Sequence, residues 1–367
     1  MNYSKKQVLK ALSHVDDPGL KKDLVSLNMI DNIVIDGNNI KFTIVLTTPA
    51  CPLKEKIKQA CVDAIHKYVD KDAEVVVELS SKVTTSRKKE ETLMPGVKNI
   101  IAVASGKGGV GKSTVAVNLA IALSKTGAKV GLVDADIYGP SIPLMFNVLN
   151  ERPNAVEKDG KTKMIPIKKY GISLLSIGFF VDPDKALLWR GPMASNALGQ
   201  LFSESDWGEL DYMIVDLPPG TGDIHLTLVQ KLSVTGVVIV STPQEVALAD
   251  ARKGVSMFQQ KEINVPVLGF IENMSYFTPA ELPDNKYYIF GKDGCVKLAK
   301  ELKVQVLGQI PIVQSICESG DNGTPIALDN DSPASKAFQS AAEKVAQQIS
   351  IRNVNLDATK IVEIKTQ

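Results

Sequence analysis

The chain has 367 residues, long enough that two domains are expected, and its 44% hydrophobic and 23% charged content is that of a soluble globular protein. A formal charge of +1 leaves no electrostatic case for nucleic acid or an anionic membrane as the main partner. Four scattered cysteines with no C-x-x-C pair exclude a disulfide framework and a zinc ribbon, and no apolar run approaches the length of a membrane span.

Residues 1–82 are expected to form a small α+β domain. Met1–Lys10 is polar and charged, unlike a secretory signal, so the cytoplasm is the expected compartment. Ser4–Leu12 reads as a short helix and Asp16-Asp17-Pro18-Gly19 as a turn. Asn32–Ile35 and Ile40–Thr47 read as strands joined at Asp36-Gly37-Asn38, with a further strand over Glu74–Leu79. Leu53–Val69 carries Ile57, Cys61, Ala64, Ile65 and Tyr68 at helical spacing. Before it stands Thr47-Thr48-Pro49-Ala50-Cys51-Pro52. Pro52 suits a first helical position, which places Cys51 at the cap, where the helix dipole favours a thiolate. The same position also suits a small buried cysteine without chemistry.

Residues 83–96 are polar and charged and close on Pro95-Gly96, the pattern of an inter-domain linker. Within the linker, Arg87-Lys88-Lys89 followed by Glu90-Glu91 reads as solvated chain rather than a nucleic-acid patch. Over 97–350 apolar strand runs alternate with helical patterns. Strands are predicted at Ile100–Ala104, Val130–Val133, Ser173–Ile177, Tyr212–Val215, Val237–Val240, Val267–Ile271 and Val304–Ile310. Helices are predicted at Ser113–Lys125, Ala194–Ser205, Ile224–Lys231, Glu245–Gln260, Asp293–Leu302 and Ser335–Ser350. Near-continuous apolar strands separated by helices imply an α/β fold, a parallel sheet covered on both faces. Residues 351–367 are left as a tail whose basic residues are too widely spaced for a membrane-binding helix.

Gly106-Lys107-Gly108-Gly109-Val110-Gly111-Lys112-Ser113-Thr114 stands between the first strand and first helix of that domain. Strand, glycine loop and helix is the setting in which G-x-x-x-x-G-K-[S/T] cradles a nucleotide phosphate. The glycines leave room for phosphate oxygens, and backbone N–H groups at the helix start point at the anion. Lys112 supplies a charge for the β- and γ-phosphates, and the Ser113 hydroxyl is placed to ligate Mg²⁺. Two further strands end in carboxylates, at Asp134-Ala135-Asp136 and at Asp216. Such residues orient water or hold Mg²⁺, with Asp216 in a Walker B position. His225 reads as structural, and Asp223 as supporting rather than ligating.

The order G-K-G-G-V-G-K-S resembles the deviant P-loop family that includes the cell-division ATPase MinD, the partition ATPases and the nitrogenase iron protein. That resemblance implies ATP as ligand, Lys107 as a contact to the nucleotide of a partner subunit, and a homodimer. The strings Asp134-Ala135-Asp136-Ile137-Tyr138-Gly139-Pro140-Ser141 and Asp216-Leu217-Pro218-Pro219-Gly220-Thr221-Gly222-Asp223 resemble the switches of the Mrp/Nbp-type iron–sulfur carrier ATPases. By that likeness Lys107, Lys112 and Asp136 are catalytic, Asp136 activating water, and Asn273 hydrogen-bonds the adenine. Trp189-Arg190-Gly191-Pro192-Met193 matches another string of the family, with Arg190 a candidate for the dimer interface. Asp17-Pro18, Leu27-Asn28-Met29-Ile30 and the T-x-x-x-C-P turn resemble the small domain of cytosolic iron–sulfur assembly factors and SufT-like proteins, which makes Cys51 a candidate for cluster handling. Apo iron–sulfur proteins and assembly factors follow as partners, without nucleic acid or membrane.

The chain departs from that family at one place. The C-x-x-C pair usual after Glu272-Asn273-Met274-Ser275 is replaced by Tyr276-Phe277-Thr278-Pro279-Ala280-Glu281-Leu282-Pro283. The nearest cysteine, Cys295, is either an atypical cluster ligand or a small residue at a helix start. Two functions stay open: an ATP-hydrolysing iron–sulfur carrier, and a metal-free nucleotide switch acting on protein partners.

Overall fold

The computed structural model describes residues 3–87, 93–158, 160–180, 191–279, 281–282, 284–359 and 361. The chain divides into two compact units, Met1–Thr85 with Ala346–Leu356, and Ser86–Val345 with Asp357–Gln367.

In the first unit helix α1 (Lys5–Leu12) starts on a reciprocal cap. The Gln7 N–H donates to Ser4 Oγ and the Ser4 N–H to Gln7 Oε1. A two-residue ladder follows, β1 (Asp16–Asp17) with β2 (Lys22–Asp23). Strands β3 (Ile30–Asp36) and β4 (Asn39–Leu46) form the expected hairpin, and Gly37, at φ +57°, supplies the turn. Helix α2 (Lys54–Tyr68) then crosses to β5 (Glu74–Ser81), which lies parallel to β4. The Phe42, Ile44 and Leu46 side chains share one buried cluster with Ile57, Cys61 and Ile65. Strand period 2 on β4 and helical period on α2 thus meet in a single core.

The second unit is built on β6 (Val97–Ala104), α3 (Lys112–Lys125), β7 (Val130–Asp134) and a short α4 (Ile142–Met145). Next come β8 (Asn154–Lys158), β9 (Lys161–Ile165), β10 (Ile167–Lys169), β11 (Ile172–Ser176), α5 (Gly191–Ser203), β12 (Leu210–Asp216) and α6 (Asp223–Lys231). It closes with β13 (Gly236–Ser241), α7 (Glu245–Gln259), β14 (Val267–Glu272), α8 (Gly294–Leu302), β15 (Val306–Gln309), α9 (Gln314–Asp321) and the first part of α10 (Pro333–Asn355), whose residues from Ala346 on belong to the first unit. Eight strands form one sheet in the order β10-β11-β7-β12-β6-β13-β14-β15. All its pairings are parallel except β10 with β11. Every residue of β7, β11 and β13 is buried, as expected of strands covered on both faces.

Three segments depart from the sequence expectation. The β8–β9 hairpin lies outside the large sheet and is mostly solvent-exposed, so its charged composition does not read as strand. The Arg87 side chain is buried, not solvated, and its guanidinium donates to the Met94 and Val97 carbonyls. Burial pulls its pKa down to about 10. Helix α10 runs beyond Ser350 to Asn355, because Ile351–Asn355 keeps a helical backbone that composition alone left as tail. Lys88, Lys89, Glu90, Glu91, Trp189 and Arg190 lie outside the described residues. Among those described, no helix is long and apolar enough to cross a membrane.

Candidate functional site

Strand β6 leads to β7 on one side of itself, while β12 leads across to β13 on the other. A crevice opens at such a reversal, at the carboxyl ends of the strands. The loop Gly106–Gly111 fills it. Gly109 and Gly111 take φ +79° and +78°, a region closed to most side chains. Gly106 packs on α7, where a Cβ would come within 2.2 Å of the Asp250 backbone. Gly111 caps α3 with no side-chain hydrogen bond to the first turn. The leading N–H groups of a 14-residue helix therefore have no protein cap, which is the condition for anion binding.

Four predicted side chains come together beneath this helix start. Lys112, 6% exposed, donates to Asp216 Oδ1 at 2.6 Å and to Ser113 Oγ at 3.3 Å. It also stands 3.7 Å from the Asp136 carboxylate. Burial pushes the Asp216 carboxyl up, against the pull of Lys112. The second oxygen of Asp216 is buried with no hydrogen-bond partner. Ser113, Asp136 and Asp216 together offer hard oxygen donors, the chemistry Mg²⁺ requires. No group of three or more His, Cys, Asp or Glu among the described residues is arranged to hold a metal unaided. Phosphate and water would complete the shell, as is usual for Mg²⁺.

The two carboxylates of the Asp134-Ala135-Asp136 string separate. Asp134 is fully buried and accepts from the Asp136 and Ile142 N–H groups and the Ser176 hydroxyl. Burial, then the neighbouring Asp216 charge, push its pKa up to about 8. A buried carboxyl held by three donors suits a clasp on the loop, not a metal ligand. Asp136 faces Lys112 and accepts from the Tyr138 N–H at 3.3 Å.

Asn273 is placed against the loop itself, its amide donating to the Val110 carbonyl at 2.9 Å. Its neighbour Glu272, missed by sequence reasoning, is fully buried and accepts from the Ser275 hydroxyl, the Cys295 N–H and the Gln309 amide. The string Glu272-Asn273-Met274-Ser275 held the signal, read only for Asn273. Thr114 is half-buried and its carbonyl accepts from Asn118. Lys107 is half-buried, and among the described residues its ammonium makes no ion pair. Further along the same strand ends a cavity of about 680 Å³ is lined by Tyr276, Phe277, Pro311, Val313 and Gln314, among others.

The cysteines are not brought together. Cys51 precedes α2 instead of capping it, because the first helical bond is Ile57 N–H to Leu53 C=O and Leu53 is the cap. The turn before it closes on the Ala50 N–H donating to Thr48 Oγ. Cys51 itself is half-buried. Cys61 is buried, and burial pushes its thiol up to about 12. Cys295 is also buried, its thiol pushed well above the usual range by burial and then by Glu272. It sits as the small residue of a helix start. Cys317, not singled out in the sequence, is exposed on α9.

A glycine loop, a paired lysine and two strand-end carboxylates on a parallel sheet define a P-loop nucleoside triphosphatase. The NUBPL iron-transfer P-loop NTPase model matches residues 96–346, and an iron–sulfur cluster assembly protein model matches 5–77. The chain belongs to the NUBPL iron-transfer P-loop NTPase family. An iron–sulfur cluster carrier protein of Synechocystis sp. is 47% identical over 350 residues, 94% of this chain and 97% of the relative. One from Escherichia coli is 43% identical over 344 residues, 93% of this chain and 91% of its own length. The iron–sulfur cluster transfer protein NUBPL of Dictyostelium discoideum is 48% identical over 260 residues, 70% of this chain and 79% of its own. Among solved structures, a nucleotide-binding protein of Archaeoglobus fulgidus in complex with ADP superposes with a TM-score of 0.57 at 36% identity. It covers 68% of this chain and 95% of its own.

Proposed function

We propose that the chain is an ATP-binding, ATP-hydrolysing carrier that binds iron–sulfur clusters and transfers them to apo client proteins. The nucleotide half of the reading is carried by the buried Lys112–Asp216 pair beneath the uncapped start of α3. The cargo half is supported by family membership and by the names of the relatives.

The loop Gly106–Thr114 wraps the phosphates with its N–H groups. Lys112 turns from Asp216 to the β- and γ-phosphates, and Asp136 orients the attacking water. Ser113, Asp136 and Asp216 would hold Mg²⁺, which when bound would neutralise phosphate charge. Asn273 keeps the loop in register through Val110, leaving its carbonyl oxygen for the adenine, and the cavity beside Tyr276 and Val313 offers the base an apolar receptacle. Lys107, with no ion pair in its own chain among the described residues, reaches the nucleotide of a second copy in a homodimer. Turnover is slow, as suits a switch.

The cargo is held at Cys51, with one thiolate from each of two copies and the remaining iron positions filled by small thiols or by the client's own cysteines. Cys61 and Cys295 are too deeply buried, and their protons too firmly held, to serve. Anaerobic incubation of the full chain with iron and sulfide tests this. It yields a visible-absorbing cluster that passes to an apoferredoxin, is lost in Cys51→Ala and is kept in Cys295→Ala. The scattered thiols favour a second reading, a metal-free nucleotide switch acting on proteins. That reading takes over if no cluster forms while ATPase activity is intact.

A further inference from the structure

His225 stands in the first turn of α6, directly after the loop Leu217–Gly222 that leaves the Walker B strand. Its side chain is 1% exposed. Both ring nitrogens, Nδ1 and Nε2, lack a hydrogen-bond partner. Buried polar groups without partners are rare in folded proteins, and an imidazole is an odd choice where a leucine would pack. The ring leans on Phe258 of α7, with centroids 6.3 Å apart. On its other side the Pro218 and Gly222 carbonyls lie close enough to favour the charged ring, yet neither reaches hydrogen-bonding geometry.

The Pro218 and Gly222 carbonyls lie in the two halves of this loop, and that of Gly222, the cap of α6, accepts from the His225 backbone N–H. The loop's first half is tied down, since the Leu217 N–H donates to the Val103 carbonyl and the Gly220 N–H to the Ser105 carbonyl. Its second half is exposed at Thr221 and Gly222. Gly220 between them takes φ +93°, where only glycine is unstrained. The tied half connects to the strand and loop that carry Lys112.

We propose that His225 is a positioning residue for this loop. The loop has a second position, adopted when a nucleoside triphosphate is bound, in which the Gly222 carbonyl turns from the His225 backbone N–H to accept a hydrogen bond from the ring. The orphaned imidazole biases the loop toward that position, because only there is its polarity satisfied. The inference rests on the nucleotide-binding reading above and adds a residue that touches neither phosphate nor metal.

The test compares thermal unfolding of the full chain alone, with Mg-ADP and with a non-hydrolysable Mg-ATP analogue. His225→Phe removes both nitrogens and fills the space, while His225→Gln and His225→Asn each keep an N–H. The wild type gains more from the ATP analogue than from ADP. His225→Phe unfolds roughly 2–4 °C higher than wild type without nucleotide. It loses the extra gain from the ATP analogue and hydrolyses ATP roughly three- to tenfold more slowly. At least one of the amide variants restores the difference. If the wild type shows no stabilisation by either nucleotide, the nucleotide reading itself has failed. If the wild type responds and His225→Phe responds equally, the positioning role is overturned. A His225→Phe chain that unfolds well below wild type, with its nucleotide difference intact, overturns it too and leaves a packing role.

Discussion

The phosphate loop of the larger unit and the cysteine turn of the smaller one are both short links between a strand and a helix, yet they are held very differently. The phosphate loop is fixed at Gly106 by the backbone of α7, at Val110 by Asn273, and at Lys112 by a buried carboxylate. The Cys51 turn has the Ala50 N–H bonded to the Thr48 hydroxyl, and Cys51 is only partly packed against its core. A site that must hold a polyanion in one geometry needs its first contacts preorganised. A half-buried thiol ahead of a helix is built instead to be reached. The contrast is what the proposed reading requires, with a fixed nucleotide site and a thiol open to exchange.

Substitutions can break that contrast. Lys112→Ala should have the largest effect, with ATP hydrolysis falling by about 10²–10³-fold or more. The same change strands Asp216, and loss of one partner of a buried pair costs about 3–5 kcal/mol. Turnover and denaturant unfolding would both report it, and near-normal ATPase activity would sink the assignment of the loop. Gly106→Ala comes next. Its methyl meets the Asp250 backbone, which cannot move aside as a flexible side chain would. A loss of about 1–3 kcal/mol is expected from overpacking, with weakened nucleotide affinity in a titration. Cys51→Ala should be the mildest. Stability changes by less than about 1 kcal/mol, and ATPase activity stays at the wild-type level. A large stability loss there would mean that the turn is as rigidly specified as the phosphate loop, and the comparison would fall.

The large sheet was legible because strands buried on both faces are apolar throughout, and such runs stand out between helices. The phosphate loop was legible because its glycines and lysine do one job that few other sequences do. What the sequence hid was the use of polar groups in the interior. Asp134 and Asp136 are two residues apart and chemically identical, yet one faces inward as a buried clasp and the other faces the lysine. On a strand, residues two apart would share a face, but β7 ends at Asp134 and Asp136 lies in the turn beyond it, which shows only once the neighbouring Ser176 is in place. Arg87 read as linker because a basic residue beside other charges looks solvated, whereas its guanidinium finds carbonyls at Met94 and Val97. The placement of Cys51 failed by two residues at the helix start, where Pro52 gave a misleading signal and the cap fell to Leu53. Among the described residues, the β8–β9 hairpin left no trace in apolar periodicity because it buries almost nothing.

The bond between Lys112 and Asp216 has a thermodynamic consequence. The lysine that would meet the phosphates already neutralises an interior acid, so an anion cannot recruit it without leaving that acid uncompensated. On the proposed reading, a divalent cation arriving with the phosphates would take over the compensation. Affinities for nucleotide and cation are then linked, each raising the other by the same factor. On that reading the loop would discriminate against a bare polyphosphate by the internal counter-ion it asks its ligand to replace.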